Sequence, residues 1–279
     1  MVEKVALNGS WSQASSWQDG VVPTGGSSLS VTIAPGVTST ADVGLHGANQ
    51  PFVVGSLSFE RGSAEASTLA VDVTPGNAFA PDAPFLQVQN LFGGAPRNQN
   101  QVSVGAHIAF PSGGIPHETA ALQITGDAIN THFILTGGTS YHDIGGGEVD
   151  IGHRSNGSSF TFDGNGFQDT LLLEHPPLGF IYNDIHVAAF PAPGPLGGGS
   201  GVERIELGGV HFDAVDFIPY RFQNAGATAE TGAVVLMDQN RPVYALLNVH
   251  ATGYGGSANG HFSVGVDAQT HLDYVQYSR

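Results

Sequence analysis

Across residues 51–135 the chain alternates apolar and polar side chains in short runs, each closed by Gly, Pro or Asn. The runs are Phe52-Val53-Val54, residues 68–73, Phe85-Leu86-Gln87-Val88, Val102-Ser103-Val104, Ala121-Leu122-Gln123-Ile124 and Phe133-Ile134-Leu135. A period of two with turn residues at its ends predicts strands that turn one face to a core. Val53, Ala70, Gln87 and Val104 are equally spaced along the chain, and the next step, to Ile124, is slightly longer. A fixed step of this kind predicts one strand–turn–strand coil of a β-solenoid, in which each coil buries its apolar face only by stacking on its neighbours. The expected fold class is all-β: a β-solenoid of the parallel β-helix kind with an antiparallel β-hairpin region at its C-terminal side. The repeat lies in length and pattern and not in identity, so a β-sandwich with regularly spaced strands is the alternative. No ten-residue stretch has helical periodicity, which argues against α/β architectures.

The opening of the chain carries its most distinctive motif: Asn8-Gly9-Ser10-Trp11, Ser16-Trp17, Asp19-Gly20-Val21-Val22-Pro23, then the alternating run Val31-Thr32-Ile33-Ala34-Pro35-Gly36. Trp11 and Trp17 are the only tryptophans. Two rings of that size would plug the open end of a stacked core. Exposed instead, Trp11, Trp17 and Tyr141 would offer sugar rings a stacking platform. The motif resembles the opening coil of bacterial secreted β-helix proteins, autotransporter passenger-like adhesins among them, with Ser16 where that unit carries Asn. The ending, Val243-Tyr244-Ala245-Leu246-Leu247-Asn248-Val249-His250-Ala251-Thr252-Gly253-Tyr254 followed by His261-Phe262-Ser263-Val264-Gly265, is similar to the C-terminal part of the same class. The resemblance implies an extracellular protein whose β-stack is its function. The dyad pattern with aromatic girdles that marks an outer-membrane barrel is not found, so no translocator is expected.

Residues 191–201, Pro-Ala-Pro-Gly-Pro-Leu-Gly-Gly-Gly-Ser-Gly, interrupt the strand pattern. They divide a solenoid-like part, 1–190, from a β-rich part, 202–279, that either continues the first core or forms its own. Two hairpins are predicted in the second part. Residues 234–237 face 243–249 across the turn 238–242, and 261–266 face 273–277 across 267–272.

Charge narrows the partners. There are 24 acidic residues against 8 basic ones, a formal −16, and Lys4 is the only lysine. Phosphate backbones need clustered Lys and Arg, so nucleic acid is not an expected partner. The chain has no cysteine, which excludes disulfides and thiolate metal sites. No apolar run reaches membrane length, and residues 1–7 are too short and too charged for a secretory signal. The expected location is outside a bacterial cell or on its surface, with the export route left open.

Candidate chemistry is sparse. Asp163, Asn165 and Asp169 set three side-chain oxygens within a Gly-rich turn, a partial calcium loop without the distal Glu of an EF-hand, so Ca²⁺ is the one cofactor in view. Glu148 and Asp150 share one strand face and would act as acid and base on a glycosidic bond if a second carboxylate stood opposite. Arg154 and Arg204 are the basic residues nearest to carboxylates in sequence. Neither zinc spacing, nucleotide loop nor nucleophile elbow is present. The leading expectation is a non-enzymatic structural protein (matrix fibre, surface layer or adhesin subunit). It would polymerise with its own copies through exposed strands around Val31 and Ile33 and around Tyr274 and Tyr277. The alternative is a β-helix carbohydrate-active enzyme or a carbohydrate-binding module, with polysaccharide as the partner.

Overall fold

A computed structural model of the chain describes residues 1–42, 50–60, 66–72, 85–94, 100–104, 108–109, 117–118, 121–135, 148–155, 157–162, 169–188, 203–220, 229–254, 260–268 and 270–278. In chain order the strands are β1 (Val2–Ala6), β2 (Gly9–Ser10), β3 (Gly26–Ile33), β4 (Thr38–Asp42), β5 (Phe52–Phe59), β6 (Thr68–Asp72), β7 (Leu86–Phe92) and β8 (Gln101–Val104). Next come β9 (Ile108–Ala109), β10 (His117–Glu118), β11 (Leu122–Ile124), β12 (Ala128–Ile129), β13 (His132–Leu135), β14 (Glu148–Ile151), β15 (Ser159–Phe162) and β16 (Asp169–Leu173). The last are β17 (Phe180–Ala188), β18 (Glu203–Leu207), β19 (Ala214–Pro219), β20 (Ala229–Asp238), β21 (Arg241–Thr252), β22 (His261–Val266) and β23 (Asp273–Ser278). The only helical turn among the described residues is a 3-10 turn at Ala14–Ser16. The protein is all-β.

Two large sheets hold nearly all of these strands. The first runs β1-β3-β5-β7-β11-β14-β16-β18-β23-β22, and the second β2-β4-β6-β8-β13-β15-β17-β21-β20-β19. Up to β18 the chain alternates between them, apart from the short strands β9, β10 and β12. Pairing is parallel from β1 to β18 in the first sheet and from β2 to β21 in the second. The last strands of both sheets then pair antiparallel. Both expected hairpins form. In the first, Gln239 and Asn240 take the left-handed backbone (φ 48 and 65) that a two-residue turn between Asp238 and Arg241 requires.

The even spacing of Val53, Ala70, Gln87 and Val104 measures a single crossing between the two sheets. It carries the chain from β5 to β6, β7 and β8, crossing from one sheet to the other at each step. A return to the same sheet takes two such steps from Val54 to its lateral partner Val88. The return is shorter from Val31 to Leu57 and shorter again from Val149 to Leu171. The intervals vary because the connections vary while the strands keep their register. Strands after residue 202 join the same two sheets, β18 beside β16 and β21 beside β17.

Period-2 alternation fixes what lies inside. Leu69, Val102, Phe133, Phe160 and Ile185 stand in one lateral row of the second sheet, all buried. Phe133 and Phe160 stack with ring centroids 5.3 Å apart and planes within 8°. Stacking like on like suits parallel, in-register strands, where identical positions of neighbouring strands meet. The close approach of neighbouring strands is visible at Gly55. A Cβ there would lie 2.0 Å from the Ser27 carbonyl oxygen, so only glycine fits beside the irregularity in β3 between Gly26 and Ser30.

Candidate functional site

At the N-terminal end of the two sheets the chain folds back over its own first strand. The Leu7 N–H donates to the Ser16 carbonyl at 2.8 Å and the Gln18 N–H to the Val5 carbonyl at 3.0 Å. The Lys4 ammonium holds the Asp19 carboxylate and also donates to the Val21 carbonyl at 3.2 Å. Beneath this flap lie the tryptophans, 0% and 2% exposed, with centroids 5.3 Å apart. Each indole N–H finds the partner that burial demands: Trp11 donates to Ser39 Oγ at 2.7 Å, and Trp17 to the Trp11 carbonyl at 2.8 Å. Sugar stacking on Trp11 and Trp17 is thereby overturned, since no face of either ring meets solvent. They close the end of the core.

The expected assembly edges are corrected as well. Val31 and Ile33 sit in β3, paired on one side with β1 and on the other with β5, and both are fully buried. Tyr274 and Tyr277 sit in β23, between β18 and β22. Alternation marks these as strands but holds no information on which strand ends a sheet. At the C-terminal end the outermost of the described strands are β22 and β19. There Phe217 meets Tyr254 at 4.5 Å and Phe262 at 5.1 Å, and Phe262 meets Tyr277 at 4.7 Å. Val215, Tyr254, Phe262 and Val264 pack on the core yet stay only partly buried.

Between the ends, the outward face of the first sheet carries a polar ladder. Gln87, Gln123 and Asp150 occupy one register across β7, β11 and β14. Gln87 Nε2 donates to Gln123 Oε1 at 2.7 Å, and Gln123 Nε2 to Asp150 Oδ2 at 2.9 Å. Asp150 is only 5% exposed. Burial, reinforced by the charges of Glu174 and Glu206 and opposed by the Gln123 hydrogen bond, pushes its carboxyl up to about 7. Glu206 is also raised, by burial first and then by Asp267, with Thr270 and Arg204 opposing. Arg204 Nη1 lies 2.8 Å from Asp267 Oδ2 and 3.6 Å from Glu206 Oε1, its guanidinium 4.0 Å over the Tyr274 ring.

Histidines line the outward face of the second sheet. His186 and His250 are in register on β17 and β21 and stack at 4.3 Å with planes within 8°. His250 Nδ1 meets Thr231 Oγ1 at 2.9 Å, and His132 Nδ1 meets Ser159 Oγ at 2.6 Å. Asp184, in the irregular stretch of β17, accepts from the Asn248 amide and lies 3.9 Å from His250 Nε2. Burial lowers both His132 and His186. His250 depresses His186 further, whereas Asp184 opposes the shift in each. His132, Ser159 and Asp184 are strand neighbours in that order, which puts the serine between the histidine and the carboxylate. A nucleophilic triad needs the histidine in the middle.

No protein-family model matches this chain, and no curated protein or solved structure matches it.

The other candidates are spread apart. Asp169 lies in β16, fully buried, beside Glu203 of β18. Its proposed calcium partners Asp163 and Asn165 lie outside the described residues, as do Tyr141 and 191–201. Among the described residues no group of three or more His, Asp or Glu side chains is arranged to hold a metal ion. Arg154 is exposed after β14, its N–H on Asp127 Oδ1 at 3.2 Å. No described helix is long and apolar enough to cross a membrane. Glu174 and Glu206, the companions of Asp150, are not legible in the sequence because they come much later in the chain, just after β16 and within β18. Strand register finds Glu206, setting Asp150 against Leu172 and Leu172 against Glu206, and the Glu174 N–H donates to the Ile151 carbonyl at 3.0 Å.

Proposed function

We propose that this chain is a β-solenoid acting as a non-enzymatic structural protein outside or on the surface of a bacterial cell, where copies associate through the ends of their stacks. The observation that carries the reading is the contrast between the ends: one closed by Trp11 and Trp17, the other left with Val215, Tyr254, Phe262 and Val264 partly uncovered. In a stack, each layer relies on the next for burial, and a last layer without a cover favours a partner. The seclusion of Asp150 supports a non-catalytic role, since a substrate would have to reach a carboxyl group that is 5% exposed.

Static light scattering over a wide concentration range, with negative-stain imaging, tests this. Mass that climbs with concentration, together with no release of unsaturated sugar from polyuronates, is expected. A monomer at all concentrations, or polyuronate cleavage lost in Asp150→Asn, would overturn it.

A further inference from the structure

We infer that β22 is the joint: two copies pair tail to tail through their β22 strands, antiparallel about a two-fold axis, extending the first sheet across the interface and closing a dimer. This rests on the self-associating reading above and adds the partner's identity and the symmetry.

Four strands end the two sheets, and three are poor templates for another chain. β1 has its outer side taken at Val5 and Leu7 by residues 16–18, and its Lys4 is tied to Asp19. β2 has two residues. β19 carries Asp216, and Pro219, which has no N–H to give. β22, His-Phe-Ser-Val-Gly-Val, has six residues without Lys, Arg, Asp, Glu or Pro. Among the described residues no strand lies on its outer side. An uncharged edge of that length is what folded proteins ordinarily avoid presenting.

The side chains agree with the backbone. Phe262 and Val264 are in register with Tyr277 and Val275, which are 1% and 2% exposed, yet they themselves stay partly open. A further strand on the outer side of β22 would add cover to both. Val266 is 61% exposed on the same strand. An antiparallel copy centred on Val264 sets Val264 against Val264, Phe262 against Val266 and Ser263 against Gly265, keeping inward positions inward. Centring on Ser263 preserves the faces equally, with Phe262 against Val264.

Charge selects a copy approaching at this place. Each chain carries a formal −16, so two copies repel over most of their surfaces, and β22 is an edge without formal charge. The closed N-terminal end denies a head-to-tail contact its second surface. An isologous contact needs only one surface and stops at two chains.

Sedimentation velocity on the full chain is the test, expected to give twice the 28.8 kDa monomer mass. Val264→Lys would set unpaired charges in the joint and raise the dissociation constant at least about a hundredfold, with circular dichroism confirming the fold. Because the chain has no cysteine, Ser263→Cys and Val264→Cys provide a second measurement. Oxidation of one of them gives a disulfide-linked dimer, whereas Glu3→Cys at the closed end does not link. Filaments or larger assemblies that persist in Val264→Lys, or linking through Glu3→Cys alone, overturn the β22 joint and leave self-association standing. A monomer at all concentrations overturns both.

Discussion

Asp150→Asn should stabilise the protein in mildly alkaline buffer. The carboxyl titrates at 3.8 in an unfolded chain and at about 7 in the fold, where burial is the main cause. Three units at 1.36 kcal/mol each set an upper bound of about 4 kcal/mol for ionising it in place; relaxation around Glu174 reduces this to roughly 1–3 kcal/mol. The sign follows from proton uptake. Between about pH 4 and pH 7 the folded chain holds a proton that the unfolded chain has released, so this group's contribution to stability falls as pH rises through that window and then levels off. Asn keeps an acceptor for Gln123 Nε2 and adds a donor, without the charge. Urea unfolding of both proteins at about pH 5 and about pH 8.5 measures the effect. The variant should be more stable by about 1–3 kcal/mol at the higher pH and by roughly a third of that at the lower, where the unfolded chain has already released its proton. A variant that is less stable at high pH, or a gap that does not change with pH, would refute the reasoning.

Three further outcomes are expected. Trp17→Ala removes a ring that is 2% exposed and its hydrogen bond to Trp11, and should cost about 3–5 kcal/mol in denaturant unfolding; an unchanged midpoint would show that the end is not closed by this ring. Arg204→Gln leaves Glu206 and Asp267 without their cation and should lower stability by about 3 kcal/mol, more at alkaline than at acid pH because Glu206 then stays ionised. A loss that grows on acidification would contradict this. Because His132 and His186 titrate below their ordinary value, the unfolded chain takes up their protons first on acidification, and their contribution to stability falls as pH drops below about 6.5. Within the Asp150→Asn background, which removes the opposite slope, His186→Gln should flatten that fall in thermal melts; an unaltered slope would show that His186 does not carry it.

How far the residues alone reach depends on the range of the signal. Alternation at Phe52-Val53-Val54 or Val102-Ser103-Val104 is local and marks strands directly, and the turn at Gln239 and Asn240 is written in the segment 238–242 itself. Which sheet a strand joins is not local. The interval from Val53 to Ala70 reads as a whole repeat when it is one crossing between sheets, because alternation looks the same on either sheet. Edges go astray for a related reason: Val31 alternates like any edge strand, and its pairing with Lys4 and Leu57 is decided by segments well before and well after it. The tryptophans were legible as a plug or a platform, and the flap at 16–18 decided for the plug. The Asp150, Glu174 and Glu206 group was invisible, since its members meet only through lateral register.

Amide hydrogen exchange across Phe262–Val266 at low and high protein concentration tests the central claim most directly. Protection there should rise with concentration while the Val2–Lys4 amides exchange alike at both. Equal exchange of β22 at the two concentrations, or protection gained at β1 instead, would contradict it.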